Sequence, residues 1–529
     1  MSAAREKHII TSTLIISGAT LISRILGFVR DMIIAGFFGA GVVVDAFVVA
    51  FRLPNLLRRL FGEGSLSASF IPVFTEYLET KDVREAWELA SNVLTLFCII
   101  LIFATITGIL GAPLIVRILA PGFYKSPVKF NLTVRLTKIL FPYLFLIGLV
   151  ALSMGILNSL KHFVTPAISP ALLNIGIIGG ALLIAPHLQE PIIGIALGVL
   201  LGGLGQVIIQ IPVLIKKGVS LYPNFSLKHP GTKKIGLLMI PALLGMGVTQ
   251  INILIDTLLA SFLPEGSISY LYYSNRLIQF PLALFGIALG TAIFPTLSRQ
   301  AARNNFDELK ETYSFGMRMV FFITIPSAIG LAVFGYPIIN VLFQRGEFSA
   351  IATSATSKSL IAYCLGLWAY AGIKITVPVF YSFQDTATPV KIAIISMILN
   401  IILNIALMIP FKHVGLALAT SLSATFNLII LTLILRKRLT KIGIRKIIMS
   451  SIKTLANSSI MGVVCFLFTP KALYHATESI TARTVYLVIG IVGGIMLFFF
   501  LSYISHSDEL LFFLSAIKKR VNKKKKEAL

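Results

Sequence analysis

The chain has 529 residues, of which 56% are hydrophobic and only 13% charged, with a mean hydropathy of +0.90 and a formal net charge of +25. This balance excludes an ordinary soluble domain and fits a polytopic membrane protein. It also argues against a basic nucleic-acid binder, because the Lys and Arg residues cluster in short loops and at the C-terminus instead of on polar, solvated elements.

In chain order, apolar runs long enough to span a bilayer are centred near residues 25, 55, 102, 145, 177, 204, 248, 282, 325, 367, 399, 425, 458 and 494. The expected fold is therefore an all-α polytopic membrane protein with about 14 transmembrane helices. An even number leaves both termini on one side. Lys216, Lys217, Lys228, Lys233 and Lys234, then Arg436 to Lys446, then the tail from Lys518 to Lys526 all fall on that side. Loops near His187 and Glu265 on the other side lack Lys and Arg, so the positive-inside rule makes both termini cytoplasmic. One loop, Arg117 to Lys138, is basic where it should be external. The first run follows Arg5 and Lys7 but is interrupted by Arg24 and lacks a small-x-small cleavage site, so it reads as retained.

The sequence repeats itself weakly. Pro72 sits 223 residues before Pro295, and Thr165-Pro166 sits 223 before Thr388-Pro389. One residue off that offset, Pro113 and Gly122 correspond to Pro337 and Gly346. A duplication follows, with six helices per copy in the same orientation and an axis along the membrane normal. The expected parts are an N-terminal lobe 1–217, a C-terminal lobe 218–440, two extra helices in 441–508 and a basic tail 509–529. Two pseudo-symmetric lobes would flank a central cavity, a form suited to alternating access.

Charges inside apolar runs are expensive and mark functional paths. Ser23 to Asp31 places Arg24, Arg30 and Asp31 in the first run, with Arg24 and Asp31 on one helical face. The second run carries Asp45, Arg52, Arg59 and Glu63 as one stripe with Arg58 beside it, and Pro54 breaks its hydrogen-bond ladder. Asp31 and Asp45 are expected to hold the arginines in place. Arg58 and Arg59 could instead snorkel to headgroups. The later runs add Asp256, Arg276 and Lys374. Cations exceed anions, so the cavity should attract an anion, and Arg forks match phosphate oxygens. A diphosphate headgroup is a natural guest. No P-loop, H-E-x-x-H or G-x-S-x-G signature occurs, and Cys98, Cys364 and Cys465 lie far apart, so neither an enzyme nor a metal site is indicated.

Ser23-Arg24-x-x-Gly27-x-x-Arg30-Asp31, Gly39-Ala40-Gly41, Asp45-Ala46-Phe47 and Arg52-x-Pro54-Asn55-Leu56-Leu57-Arg58-Arg59 with Glu63-Gly64 resemble the N-terminal signature of the MurJ (MviN) lipid II flippases. The resemblance continues through Ala120-Pro121-Gly122-Phe123, Tyr272-Tyr273 to Arg276, Phe280-Pro281 to Ser298, and Asp385-Thr386 with Thr388-Pro389. It implies the multidrug/oligosaccharidyl-lipid/polysaccharide exporter superfamily, two six-helix lobes plus two helices, and transport of undecaprenyl-diphosphate-linked lipid II across the bacterial inner membrane. By that resemblance Arg24, Arg30, Arg52, Arg58, Arg276 and Lys374 bind substrate. Asp31, Asp45, Glu63 and Asp256 would gate or pair charges, and the last two helices would hold the lipid tail. Membrane lipids and the cell-wall synthesis machinery are the implied partners; no nucleic acid and no cofactor is expected, and sodium and protons both stay open as coupling ions. The sequence departs from many members at Asn275 and Gln279, where acids are expected, leaving Arg276 less neutralised. Rival readings are a flippase for another polyprenyl-linked glycan, a drug or cation antiporter of the same superfamily, and a scaffold without transport.

Overall fold

A computed structural model describes residues 3–60, 65–226, 228–469, 479–512 and 514–515, and among the described residues there is helix but no strand. The longer helices of the N-terminal half are α1 (Ala3–Phe38), α2 (Val42–Leu60), α3 (Leu66–Thr80), α4 (Val83–Leu110), α5 (Pro127–Leu140), α6 (Pro142–Ser159), α7 (Val164–Gly179), α8 (Ile192–Ile208) and α9 (Pro230–Ala260). Those that follow are α10 (Ser267–Pro281), α11 (Ala288–Ala302), α12 (Phe306–Val333), α13 (Ala350–Cys364), α14 (Leu367–Ser382), α15 (Ala387–Phe411), α16 (His413–Leu439), α17 (Ile444–Phe468) and α18 (Ile480–Ile504). Local signals start several of them. Pro127, Pro142 and Pro230 sit in first turns, where the missing N–H costs nothing. Asn305 and Ser479 accept from Glu308 N and Ala482 N as N-caps of α12 and α18.

By length and composition ten helical segments can cross a membrane, or eleven when α13 and α14, bent by 41° at their junction, count as one span. The chain is a multi-pass membrane protein. Among the described residues, α2 is a full helix that does not pass as a span. In α2 the cause is visible: Asp45, Arg52, Arg58 and Arg59 crowd into 19 residues.

The chain divides into two compact units. The first comprises 1–269 with 345–348. Its core joins Phe70 and Phe74 of α3, Leu89 and Leu101 of α4, and Leu144 and Leu152 of α6. Helices α7 and α8 pack backbone to backbone: a Cβ on Gly176 would lie 2.5 Å from Gly202 Cα, and one on Gly198 2.5 Å from Gly176 O. Small residues permit that approach, as membrane helix pairs require. The repeat assigns α9 to the second copy, yet it packs in the first unit, where Thr232 donates to Asn92 Oδ1 (2.6 Å) and Lys234 pairs with Glu76 (2.6 Å).

The second unit comprises 270–344 and 349–529. Its core joins Tyr313 and Val320 of α12, Ile375 and Phe380 of α14, and Leu431 and Leu435 of α16. A smaller cluster of Phe322, Met461 and Phe498 fastens α17 and α18 to α12. Where the span α13–α14 breaks, Ser421 Oγ donates to Ala362 O (2.7 Å), supplying a partner for a carbonyl the bend takes out of its ladder. Pro281 ends α10 and is followed by a widened turn, Leu282–Ile287.

Candidate functional site

In the first unit, α1 carries Arg24 exposed, whereas Arg30 and Asp31 are buried, at 7% and 2% exposure. Arg30 donates from Nε (3.0 Å) and Nη2 (2.7 Å) to Asp31 Oδ1 and from Nη1 to Asn174 Oδ1 (3.0 Å). Asn174, on α7, in turn donates to Ser23 O (3.0 Å). The arginine is thus held flat by an acid and a carboxamide, while one turn and a half earlier Arg24 meets no acidic side chain among the described residues. Gly27 lies beside this contact, where a Cβ would stand at ordinary van der Waals distance, 3.7 Å, from Asn174 Nδ2.

Asp45, at the start of α2, was expected to hold an arginine; its cation is instead Lys129 of α5, 2.7 Å away, with both side chains buried. The carboxylate also accepts from Gly266 N (2.9 Å), Ser269 N (2.9 Å) and Ser269 Oγ (2.6 Å). It therefore caps the first turn of α10, where the helix macrodipole favours an anion. Lys129 lies 4.2 Å from the Phe123 ring centroid. Arg135, from the same basic stretch, pairs with Glu190 (2.9 Å), and Arg117 stands over Tyr124. The loop that broke the positive-inside pattern therefore spends part of its charge on internal partners.

Arg52, Arg58 and Arg59 are half-buried along α2, and Arg58 Nε donates to Asn55 Oδ1 (3.0 Å). Asp256 on α9 is half-buried and accepts from Asn252 (3.3 Å). Glu63 lies outside the described residues. In the second unit, Arg276 on α10 is half-buried with its guanidinium 5.8 Å from the Tyr272 ring centroid. The missing acids beside it are replaced by an amide pair, Gln279 donating to Asn275 Oδ1. Lys374 on α14 is exposed, and a Cβ on Gly290 would run into the Lys374 carbonyl oxygen, so α11 and α14 touch closely there. No acid reaches Lys374 among the described residues. Outside the spans, Asp385 caps α15 through Thr388 N (3.0 Å) and Thr388 Oγ1 (2.8 Å) and pairs with Arg438 (3.1 Å). The Thr388 amide, with its hydroxyl and the Arg438 guanidinium, holds the Asp385 carboxyl below its ordinary range against the opposing effect of burial.

Sequence reasoning missed Asn174, Lys129 and Ser269. Lys129 alone had a signal, the misplaced basic loop; Asn174 and Ser269 are small polar residues of which the apolar runs hold many. Among the described residues no group of three or more His, Cys, Asp or Glu side chains could hold a metal ion. Among the described residues, each unit therefore offers a cation on an apolar helix with no carboxylate partner, Arg24 in one and Lys374 in the other. Such groups suit a phosphate-bearing guest better than a cationic one.

The family model described as "Lipid II flippase MurJ" matches residues 34–486. The chain belongs to the MurJ family. Among its MurJ relatives, the probable lipid II flippase MurJ of Vibrio cholerae serotype O1 is 44% identical over 433 residues, covering 80% of this chain and 82% of the relative. A solved structure titled lipid II flippase MurJ, inward closed conformation, is 31% identical, with a TM-score of 0.79 over 94% of this chain and 99% of that one. The MurJ fold extends further: an inward-facing multidrug resistance MATE transporter of the MOP superfamily shares it at 14% identity and a TM-score of 0.67, over 81% of this chain and 98% of that one.

Proposed function

We propose that the chain carries lipid II, the undecaprenyl-diphosphate-linked peptidoglycan precursor, from the cytoplasmic to the periplasmic leaflet of the bacterial inner membrane by alternating access. Family membership across residues 34–486 carries this reading. In it Arg24, Arg276 and Lys374 contact the diphosphate, Arg52 and Arg58 add to the same field, and Asp31 fixes Arg30 at its edge. Asp45 and Glu63 gate, Asp256 pairs charge, and α17 with α18 receives the lipid tail. Both termini are cytoplasmic. Two features support a transport role for these cations over a scaffold: they stand within apolar helices, where a charge without function is selected against, and two of them lack an acidic partner among the described residues.

Complementation tests the proposal. In a bacterium depleted of its own lipid II flippase, the wild-type chain should restore growth and periplasmic exposure of lipid II. Arg24→Ala and Arg276→Ala, at equal membrane abundance, should each fail. Intact flipping by both variants would remove the assigned site, and failure of the well-expressed wild type would point to another polyprenyl-linked glycan.

A further inference from the structure

Of the cations in the loop that breaks the positive-inside pattern, Lys129 is paired with Asp45 and Arg135 with Glu190. Arg117 and Lys125 are exposed and meet no acidic side chain among the described residues. Arg117 stands over the Tyr124 ring, 5.4 Å from its centroid, which brings it beside Lys125, the next residue. It belongs to a short helix, Ala112–Leu119, that follows the end of α4 at Leu110. That helix has two faces: Ala112 and Val116 are buried, while Leu114 and Ile118 are exposed. The outer face of α4 is apolar in the same way, since Phe103, Ile106 and Leu110 recur at helical spacing and are 72%, 52% and 77% exposed. Beside it a groove of about 400 Å³ opens between α4, α6 and α8, lined by Ile102, Ile106, Phe145, Leu146, Leu201 and Leu204 among others. Its lining is apolar apart from the Thr105 hydroxyl, which makes no hydrogen bond among the described residues.

We infer that these features form a site for one anionic phospholipid, its phosphate held by Arg117 and Lys125 at the bilayer surface where α4 ends and an acyl chain running past Leu114 and Leu110 into the groove. The depth fits. Ile106 and Ile102 lie one and two turns before Leu110, about 6 and 12 Å along the axis, inside the ~15 Å that one leaflet contributes to the hydrocarbon core. A polyprenyl chain would overrun a groove confined to that depth. The groove opens on the outward side of three membrane-spanning segments, where hydrocarbon and not a soluble partner is the surrounding medium. The charge fits as well: a phosphate gives the guanidinium and the ammonium the counter-charge that no carboxylate supplies. Tyr124 suits the same level, as an aromatic ring at the boundary of hydrocarbon and headgroups. A bound lipid phosphate also accounts for basic residues in a loop where the positive-inside rule expects none.

The test places a photoreactive residue in the groove of the full chain, Leu204→benzoylphenylalanine, and in a separate chain on an exposed apolar position of α15, Ile402→benzoylphenylalanine. In nanodiscs of equal phosphatidylcholine and phosphatidylglycerol with a small share of undecaprenyl phosphate, irradiation and mass spectrometry identify the lipid captured at each position. Position 204 should capture phosphatidylglycerol over phosphatidylcholine by about fivefold or more, the ratio that one Lys or Arg near an anionic surface supplies. R117Q/K125Q should bring that ratio to the value found at position 402, and, because both side chains are exposed, should melt like the parent chain. Equal ratios at 204 and 402 in the chain that keeps Arg117 and Lys125 would reduce the groove to ordinary lipid contact and overturn the proposal. So would a preference that survives R117Q/K125Q, undecaprenyl phosphate as the main species captured at 204, or no lipid captured there.

Discussion

Asp45 accepts four hydrogen bonds, from Lys129, Gly266 and twice from Ser269, which fills the acceptor capacity of a carboxylate. Because the pair is buried, its value is asymmetric. Removing one partner strands a charge, whereas removing both is tolerated far better. Lys129→Met should destabilise the protein by about 3–5 kcal/mol, and Lys129→Met with Asp45→Asn should recover much of that loss. Thermal unfolding of the purified protein reads both, and a Lys129→Met protein melting like the wild type would mean that Asp45 needs no counter-charge. The example also shows what a one-dimensional reading can reach. Arg24, Arg30, Asp31 and Asp45 were legible because a charge in an apolar run is conspicuous. Their partners were not, because Asn174 and Ser269 are common polar residues brought in from remote helices, and helix pairing is invisible to hydropathy. Asp385 gives a pH-dependent case. Its carboxyl lies below the ordinary value in the folded protein, so the contribution is complete above the unfolded value of about 3.9 and disappears as pH falls through the lower folded value. Asp385→Asn should flatten the acid limb of a melting-temperature profile; an unchanged profile would show that the cap does not report on folding.

At the scale of elements, apolar periodicity located the spans that are apolar all round and failed to describe the charged ones by the same measure. Helix α2 is the clearest case, since its four charges are the reason for singling it out and the reason it does not score as a span. Proline positions were likewise legible, but not their consequences: Pro281 is followed by a widened turn, while Pro54 stays within a continuous helix. The glycines of α8 form a contact surface, and its partner is α7. A Cβ on Gly198 would stand 2.5 Å from Gly176 O and 3.0 Å from Ile177 Cα, backbone atoms that cannot swing aside, whereas one on Gly179 would meet nothing within 4 Å. Gly198→Ala should therefore cost about 1–3 kcal/mol, the range for overpacking, and Gly179→Ala should be near neutral. Melting curves for the two variants would separate packing from helix propensity, because propensity favours alanine at both sites. Equal stabilisation would show that α7 and α8 are not in backbone contact.

At the scale of the whole molecule, two glycines that the expected repeat pairs make similar contacts at the ends of long helices. Gly122, from the loop of the first copy, lays its backbone on the end of α9, the first helix of the second: Gly122 N donates to Ser261 Oγ (3.0 Å), and a Cβ would press on Ser261 and on Phe262 N. Gly346, which lies one residue off the repeat offset from Gly122, does the same at the end of α1. There Glu347 N donates to Gly36 O (3.0 Å), and a Cβ on Gly346 would strike that same oxygen. Gly346 and Gly39 both take positive φ, +52° and +66°, so a side chain at either is strained as well as crowded. Residues 345–348 accordingly count with the first unit, although the chain on either side of them belongs to the second. One glycine thus clasps the end of α9 and another the end of α1. Gly346→Ala should release 345–348 from 36–39, and Gly122→Ala should release 120–123 from the end of α9. In each case the local amides should exchange faster by about tenfold, as expected from a strain of 1–3 kcal/mol. The two contacts share no residue, so the double variant should show both local effects without amplification. Exchange measured on the three variants decides the matter: if opening one clasp also deprotects the other, the two are a single cooperative closure, and the picture of independent clasps is wrong.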